Sequence, residues 1–117
     1  MAALLSAMPS AHADWAKMNE DGQATFYVET SIKEDGSLRR IWQLADFRAK
    51  GSHGELSLRA LAEYDCGSES YRALEIVEHS GQMASGHVLT TVTDPTEWRH
   101  VAPGTFAQRV LRIVCAR

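Results

Sequence analysis

From Leu56 to Cys66 the chain changes side-chain character at nearly every step. Leu56, Leu58, Ala60, Ala62, Tyr64 and Cys66 fall on one face; Ser57, Arg59, Glu63 and Asp65 fall on the other, with Leu61 the exception. Period two over this length predicts a strand with one buried side. Cys66 then faces the core. The only other cysteine, Cys115, lies in an apolar stretch, Thr105 to Arg117. There Phe106, Val110, Ile113 and Val114 recur at helical spacing, and Leu111 and Cys115 widen the stripe. Thr105 is a good N-cap, Gln108 follows three residues later, and Arg109, Arg112 and Arg117 lie toward the C-terminal end, where positive charge suits the helix dipole. Once this helix packs on the sheet the two sulfurs meet. The pattern therefore predicts a sheet, a terminal helix, and a Cys66–Cys115 disulfide joining them.

The rest of the chain supplies the other strands. Trp15 stands in a short edge strand before the turn Asn19-Glu20-Asp21-Gly22. Ala24 to Ile32 alternates and is rich in β-branched and aromatic residues. Lys33 to Ser37 reads as a hairpin loop, with Gly36 available for positive φ. Leu38 to Arg48 is the return strand. Leu38, Trp42 and Leu44 share one face and Ile41, Ala45 and Phe47 the other, so either both faces are partly covered or a bulge shifts the register. A polar loop, Lys50 to Gly54, leads into the strand that ends at Cys66. Glu69 to Glu78 and Met83 to Val92 read as two more strands, with Gly86 a bulge position in the second. Asp94-Pro95 breaks the pattern, and Trp98 and Val101 dock the following linker onto the core. The expectation is α+β: about six antiparallel strands in a meander, with one C-terminal helix on one face.

Composition narrows the function classes. A chain of 117 residues suits one domain, here residues 14–117, and 44% hydrophobic with 23% charged residues excludes wholesale disorder. The net charge is −3 and the longest basic run is Arg39-Arg40, so no nucleic-acid footprint is present. No apolar run reaches the ~20 residues of a membrane span. Met1 to Ala13 is small, apolar and ends in Ala11-His12-Ala13, an A-x-A cleavage signature. It reads as the remnant of a signal peptide, with the mature chain starting at Asp14. Two core-facing cysteines agree with an oxidising compartment, periplasmic or extracellular.

Catalytic readings are poorer. Cys66 or Cys115 with His79, His87 or His100 as base would need an ionised, reachable thiol, and both positions face the core. The histidine spacings fit no compact zinc pattern. Ser52-His53-Gly54 has no partnered acid that spacing identifies, and reads as a flexible loop. No cofactor is implied. Arg39 and Arg40, beside Trp42, form a candidate patch for acidic groups on a partner; the competing reading pairs strand arginines with Glu29 or Glu63 across the sheet.

The motifs in order resemble the surface-adhesin protein E family of Gram-negative bacteria. They are Trp15, Phe26-Tyr27-Val28, Trp42-Gln43-Leu44-Ala45-Asp46-Phe47, Glu63-Tyr64-Asp65-Cys66, Trp98 to Thr105, and Val114-Cys115. The resemblance implies a six-stranded antiparallel sheet with a disulfide-tied C-terminal helix, and Trp42 and Tyr64 in the core. It implies a secreted, non-catalytic domain that binds a protein partner, a host matrix or serum protein among the candidates, and that can form a homodimer. Some members carry a lipid-anchored N-terminal cysteine; none lies near Ala13, which implies a soluble domain after cleavage. The alternative is a periplasmic domain with a small-ligand-binding or structural role, its ligand held under the helix or between strand ends.

Overall fold

The computed structural model describes residues 14–116. The expected signal segment, residues 1–13, lies outside the described residues. The elements are β1 (Trp15–Glu20), β2 (Ala24–Glu29), β3 (Lys33–Asp35), β4 (Leu38–Phe47), β5 (Ser57–Asp65), β6 (Ser70–His79), β7 (Val88–Val92), β8 (Arg99–His100) and α1 (Phe106–Val114). The strands form one antiparallel sheet in the order β1-β2-β4-β5-β6-β7, with β3 on β4 and β8 on β6. Three long strands, β4, β5 and β6, thus carry shorter ones on both flanks.

The sheet has eight strands where about six were expected, and both additions are short. Lys33, Glu34 and Asp35 pair with Arg40, Arg39 and Leu38, so the expected loop is a strand closed by a turn at Gly36, whose φ is 60°. Arg99 and His100 pair with Tyr71 and Ser70. Ahead of them Thr96 clips the linker to β6, donating its backbone N–H to Ala73 O and accepting the Ala73 N–H on Oγ1, both at 2.9 Å. Conversely, the expected strand from Met83 begins only at Val88. Met83 and Ala84 take left-handed φ values of 55° and 59°, and their N–H groups go to Asp46 Oδ1 and Ser57 Oγ. A loop with those dihedrals cannot continue a ladder. It folds back over the sheet instead.

Register assigns the faces. Val28, Ile41, Ala62 and Tyr64 pack with Val101 and with Ala107, Val110, Leu111 and Val114 of α1 in one buried cluster. The opposite, open face carries the intervening residues, among them Arg40, Trp42 and Leu44 on β4 and Arg59, Leu61 and Glu63 on β5. The alternative that both faces of β4 are partly covered is the one realised, since Ile41 on one and Leu44 on the other are each 1% exposed while Arg40 stays open. On β6 strict strand alternation fails midway. Leu61 pairs with Glu75 but Ala62 pairs with Ala73, so Leu74 is an extra residue. This bulge puts Arg72 and Val77 on the open face, although they lie five residues apart.

The helix is fixed at both ends. Thr105 Oγ1 accepts the Gln108 N–H at 3.2 Å, and Gln108 Oε1 reaches back to the Gly104 N–H at 2.9 Å. At the other end Arg39 Nε donates to Val114 O at 3.1 Å, supplying one of the donors that the last turn's carbonyls lack. Cys115, the C-cap, is bonded to Cys66 with S–S 2.05 Å.

Candidate interaction face

The open face is built around a buried carboxylate. Glu63 pairs with Arg40 on β4 and with Arg72 on β6 in the ladder. Its side chain is 1% exposed; Oε2 accepts from Arg40 Nε and Oε1 from Arg72 Nε, each at 2.9 Å. A buried carboxylate needs such partners, and here both arginines lie over it from neighbouring strands. The Arg72 guanidinium carbon in turn sits 4.5 Å from the ring centre of Trp98, which remains 41% exposed. Two residues further along the face, the Arg59 guanidinium carbon stands 4.8 Å from the Trp42 ring centre. The result is a surface with two arginine–tryptophan stacks, each ring with a cation over it.

Trp42, implied as core by the resemblance, is therefore half-buried on the face turned away from the helix. Tyr64 is fully buried, with its ring stacked on Tyr71 at 5.7 Å and its hydroxyl donating to Gln43 Oε1 at 2.5 Å. Burial pushes that phenol above its ordinary range.

The two arginines of the expected patch lie on opposite faces. Arg39 is buried on the helix side, where Nη1 donates to Gly36 O at 2.7 Å and to Leu38 O at 3.0 Å. Arg40 faces the open side, 45% exposed at its side chain, and carries the cross-strand pairing with Glu63. Adjacent residues on a strand point to opposite faces, so the run cannot act as one patch.

At one end of the open face lies His79, 5% exposed. Its Nε2 accepts from Arg59 Nε at 3.1 Å, so its proton rests on Nδ1. Burial, and then the neighbouring Arg59 charge, hold His79 below the ordinary value of 6.5. The sign follows from proton uptake: between 6.5 and the lower native value the unfolded chain binds the proton and the folded chain does not. His79 thus gives stability that is complete above 6.5 and is lost as pH falls through that window. Urea unfolding of the wild type and His79→Gln from about pH 7.5 to about pH 5 checks this. The wild-type midpoint should decline across the window more steeply than the variant's.

Both cysteines are spent in the disulfide, so neither offers a thiolate. His87 is exposed ahead of β7 and His100 is exposed on β8. A groove of about 680 Å³ opens beside the N-terminal end of α1, lined among others by Gln43, Tyr71, Arg99, His100 and Phe106. His53 has acidic partners after all: Glu55 and Glu78 converge on it. Spacing hid Glu78, because only the pairing of β5 with β6 brings it near.

Among the described residues no helix is long and apolar enough to cross a membrane. No curated protein sequence matches the chain. The fold is that of Haemophilus influenzae protein E. One crystal form superposes with a TM-score of 0.69 at 11% identity, covering 96% of this chain and 94% of that one. Its selenomethionine form gives 0.69 at 13% identity, covering 97% and 94%. Protein E from non-typeable Haemophilus influenzae gives 0.63 at 11% identity, covering 96% and 82%. The sequence profile described as "Surface-adhesin protein E" matches residues 15–116. With nearly the whole described chain inside that match, this protein belongs to the surface-adhesin protein E family.

Proposed function

We propose that residues 14–117 form a single non-catalytic domain that binds another protein outside the cytoplasm, in the periplasm or at the cell surface, after cleavage of a signal peptide near Ala13. The observation that carries this reading is the pair of arginine–tryptophan stacks on the open face. Tryptophan and arginine dominate the energetically important positions of protein interfaces, and rings already stacked against a guanidinium have less freedom to lose on binding. The partner is a protein presenting carboxylates to Arg40 and Arg72 and apolar surface to Trp98; serum and matrix proteins are the class to try first. The disulfide supports an oxidising compartment. A second copy is a further partner: the outer strand β7 exposes Val88, Leu89 and Val92, and such an edge can extend a sheet between chains.

Binding of the full chain to immobilised serum and matrix proteins, with light scattering for self-association, tests this. Arg40→Gln with Trp98→Ala is expected to weaken capture at least about tenfold, as for central interface residues. Ile113→Ala, on the exposed side of α1, is expected to leave it unchanged. Equal capture by the Arg40/Trp98 variant would remove the open face from the binding role. The second reading, a small ligand, is favoured by the groove beside α1, where polar groups meet an aromatic wall. It is the one left standing if no protein is captured and a bound small molecule is lost on Tyr71→Ala.

A further inference from the structure

We propose that His53, Glu55 and Glu78 form a binding site for one divalent cation of the zinc class. The three residues come from two places in the chain. His53 and Glu55 lie on the β4–β5 loop, and Glu78 is the penultimate residue of β6. The loop is held against that strand end by the Leu56 N–H, which donates to His79 O at 3.0 Å. One donor atom from each residue then lies within 4.8 Å of the others. His53 Nδ1 is 2.9 Å from Glu78 Oε1. Ligands of a tetrahedral ion bonded at ~2.0–2.2 Å stand roughly 3.4 Å apart, so side-chain rotations that bring the donors about an ångström closer close this set on a single ion.

The side chains that converge here are those a divalent cation recruits. The donor set, one imidazole nitrogen and two carboxylates, selects among ions: imidazole suits zinc, copper and nickel, whereas calcium and magnesium take oxygen alone.

The ligands are positioned before any ion arrives. His53 N–H donates to Glu55 Oε1 at 2.9 Å. The loop is closed by Gly51 N–H to Glu55 O at 2.9 Å and Gly54 N–H to Gly51 O at 3.0 Å. A side chain on Gly51 would overlap the Glu55 carboxylate, so glycine leaves the space that carboxylate occupies. Thr90 Oγ1 donates to Glu78 Oε1 at 2.8 Å, the kind of outer contact that orients a ligand. The His53 side chain is 62% exposed, which leaves an ion a path in from solvent.

The test is calorimetric titration of Zn²⁺ into the full, tag-free chain after chelation and dialysis, at about pH 7.5, because protons compete with metal for the ligands at lower pH. One Zn²⁺ per chain is expected. His53→Gln and Glu78→Gln should each weaken it by at least about tenfold, while His87→Gln should not. His53 is exposed, so its replacement does not endanger the fold. As a second readout, Zn²⁺ should raise the unfolding midpoint of the wild type and not of His53→Gln. Wild-type affinity retained in His53→Gln would overturn the proposal, as would Ca²⁺ binding as tightly as Zn²⁺. The site does not use Arg40 or Trp98, so its failure leaves the protein-binding reading intact.

Discussion

Replacing Cys66 and Cys115 together by alanine is expected to lower the unfolding free energy by about 4 kcal/mol, from the chain entropy released when a closed loop of this size is opened. The bonded residues are 49 apart in sequence. For a domain whose net stability lies in the ordinary range of ~5–15 kcal/mol, that is a quarter or more of the total. The location sharpens the effect. The bond joins the end of β5 to the C-cap of α1, a helix of nine residues. Isolated helices below ~12–15 residues are marginal in water, so α1 persists through its docking. Its buried residues Ala107, Val110, Leu111 and Val114 are what cover the sheet. Urea unfolding of the double variant, beside the reduced wild type, measures the loss. Amide exchange across Phe106–Val114 should rise before exchange in β4 and β5. A midpoint shift worth less than about 1 kcal/mol, with α1 protection unchanged, would show that packing alone holds the helix.

How much of this was readable from sequence depended on whether a segment's neighbours were local. The β5 alternation was legible because no extra residue interrupts that strand, and Leu61, its one misfit, packs opposite Trp42 on the open face. The helix start was legible because Thr105, Gln108 and the apolar stripe lie within one short stretch, whereas its end falls at Val114, short of the expected Arg117. On β6 the pattern misled, since neither a glycine nor a proline marks Leu74 as the bulged residue. The Arg39-Arg40 run misled for the opposite reason: contiguity in sequence suggested a patch, while strand parity sends one guanidinium to the helix end and the other to Glu63. The Trp98–Arg72 stack and the His53–Glu78 contact join residues 26 and 25 positions apart, brought together only by register and by a returning linker. No window of sequence contains both partners.

The arginine–carboxylate–arginine group invites a sharper test of the open face, because its members should not act additively. Arg40→Met with Arg72→Met keeps the aliphatic cover over Glu63 and removes both positive charges. Glu63, 1% exposed at its side chain, would then be buried without a partner. The expected loss is roughly 3–5 kcal/mol, the scale for breaking a buried pair from one side. Adding Glu63→Leu to the same chain removes the stranded charge. That triple variant should recover most of the loss, because a fully apolar replacement of a buried ionic group is often neutral or stabilising. Glu63→Gln alone should cost less than the double arginine variant, since Arg40 and Arg72 are 45% and 29% exposed and can turn toward water. The ordering of urea midpoints decides the matter. If the triple variant is no more stable than the double, Glu63 is not electrostatically confined, and the arginines serve the fold through packing, as Arg72 does over Trp98. If the triple recovers while protein capture stays weak, the charges are kept on this face for a partner and not for stability, which is the arrangement an adhesive surface requires.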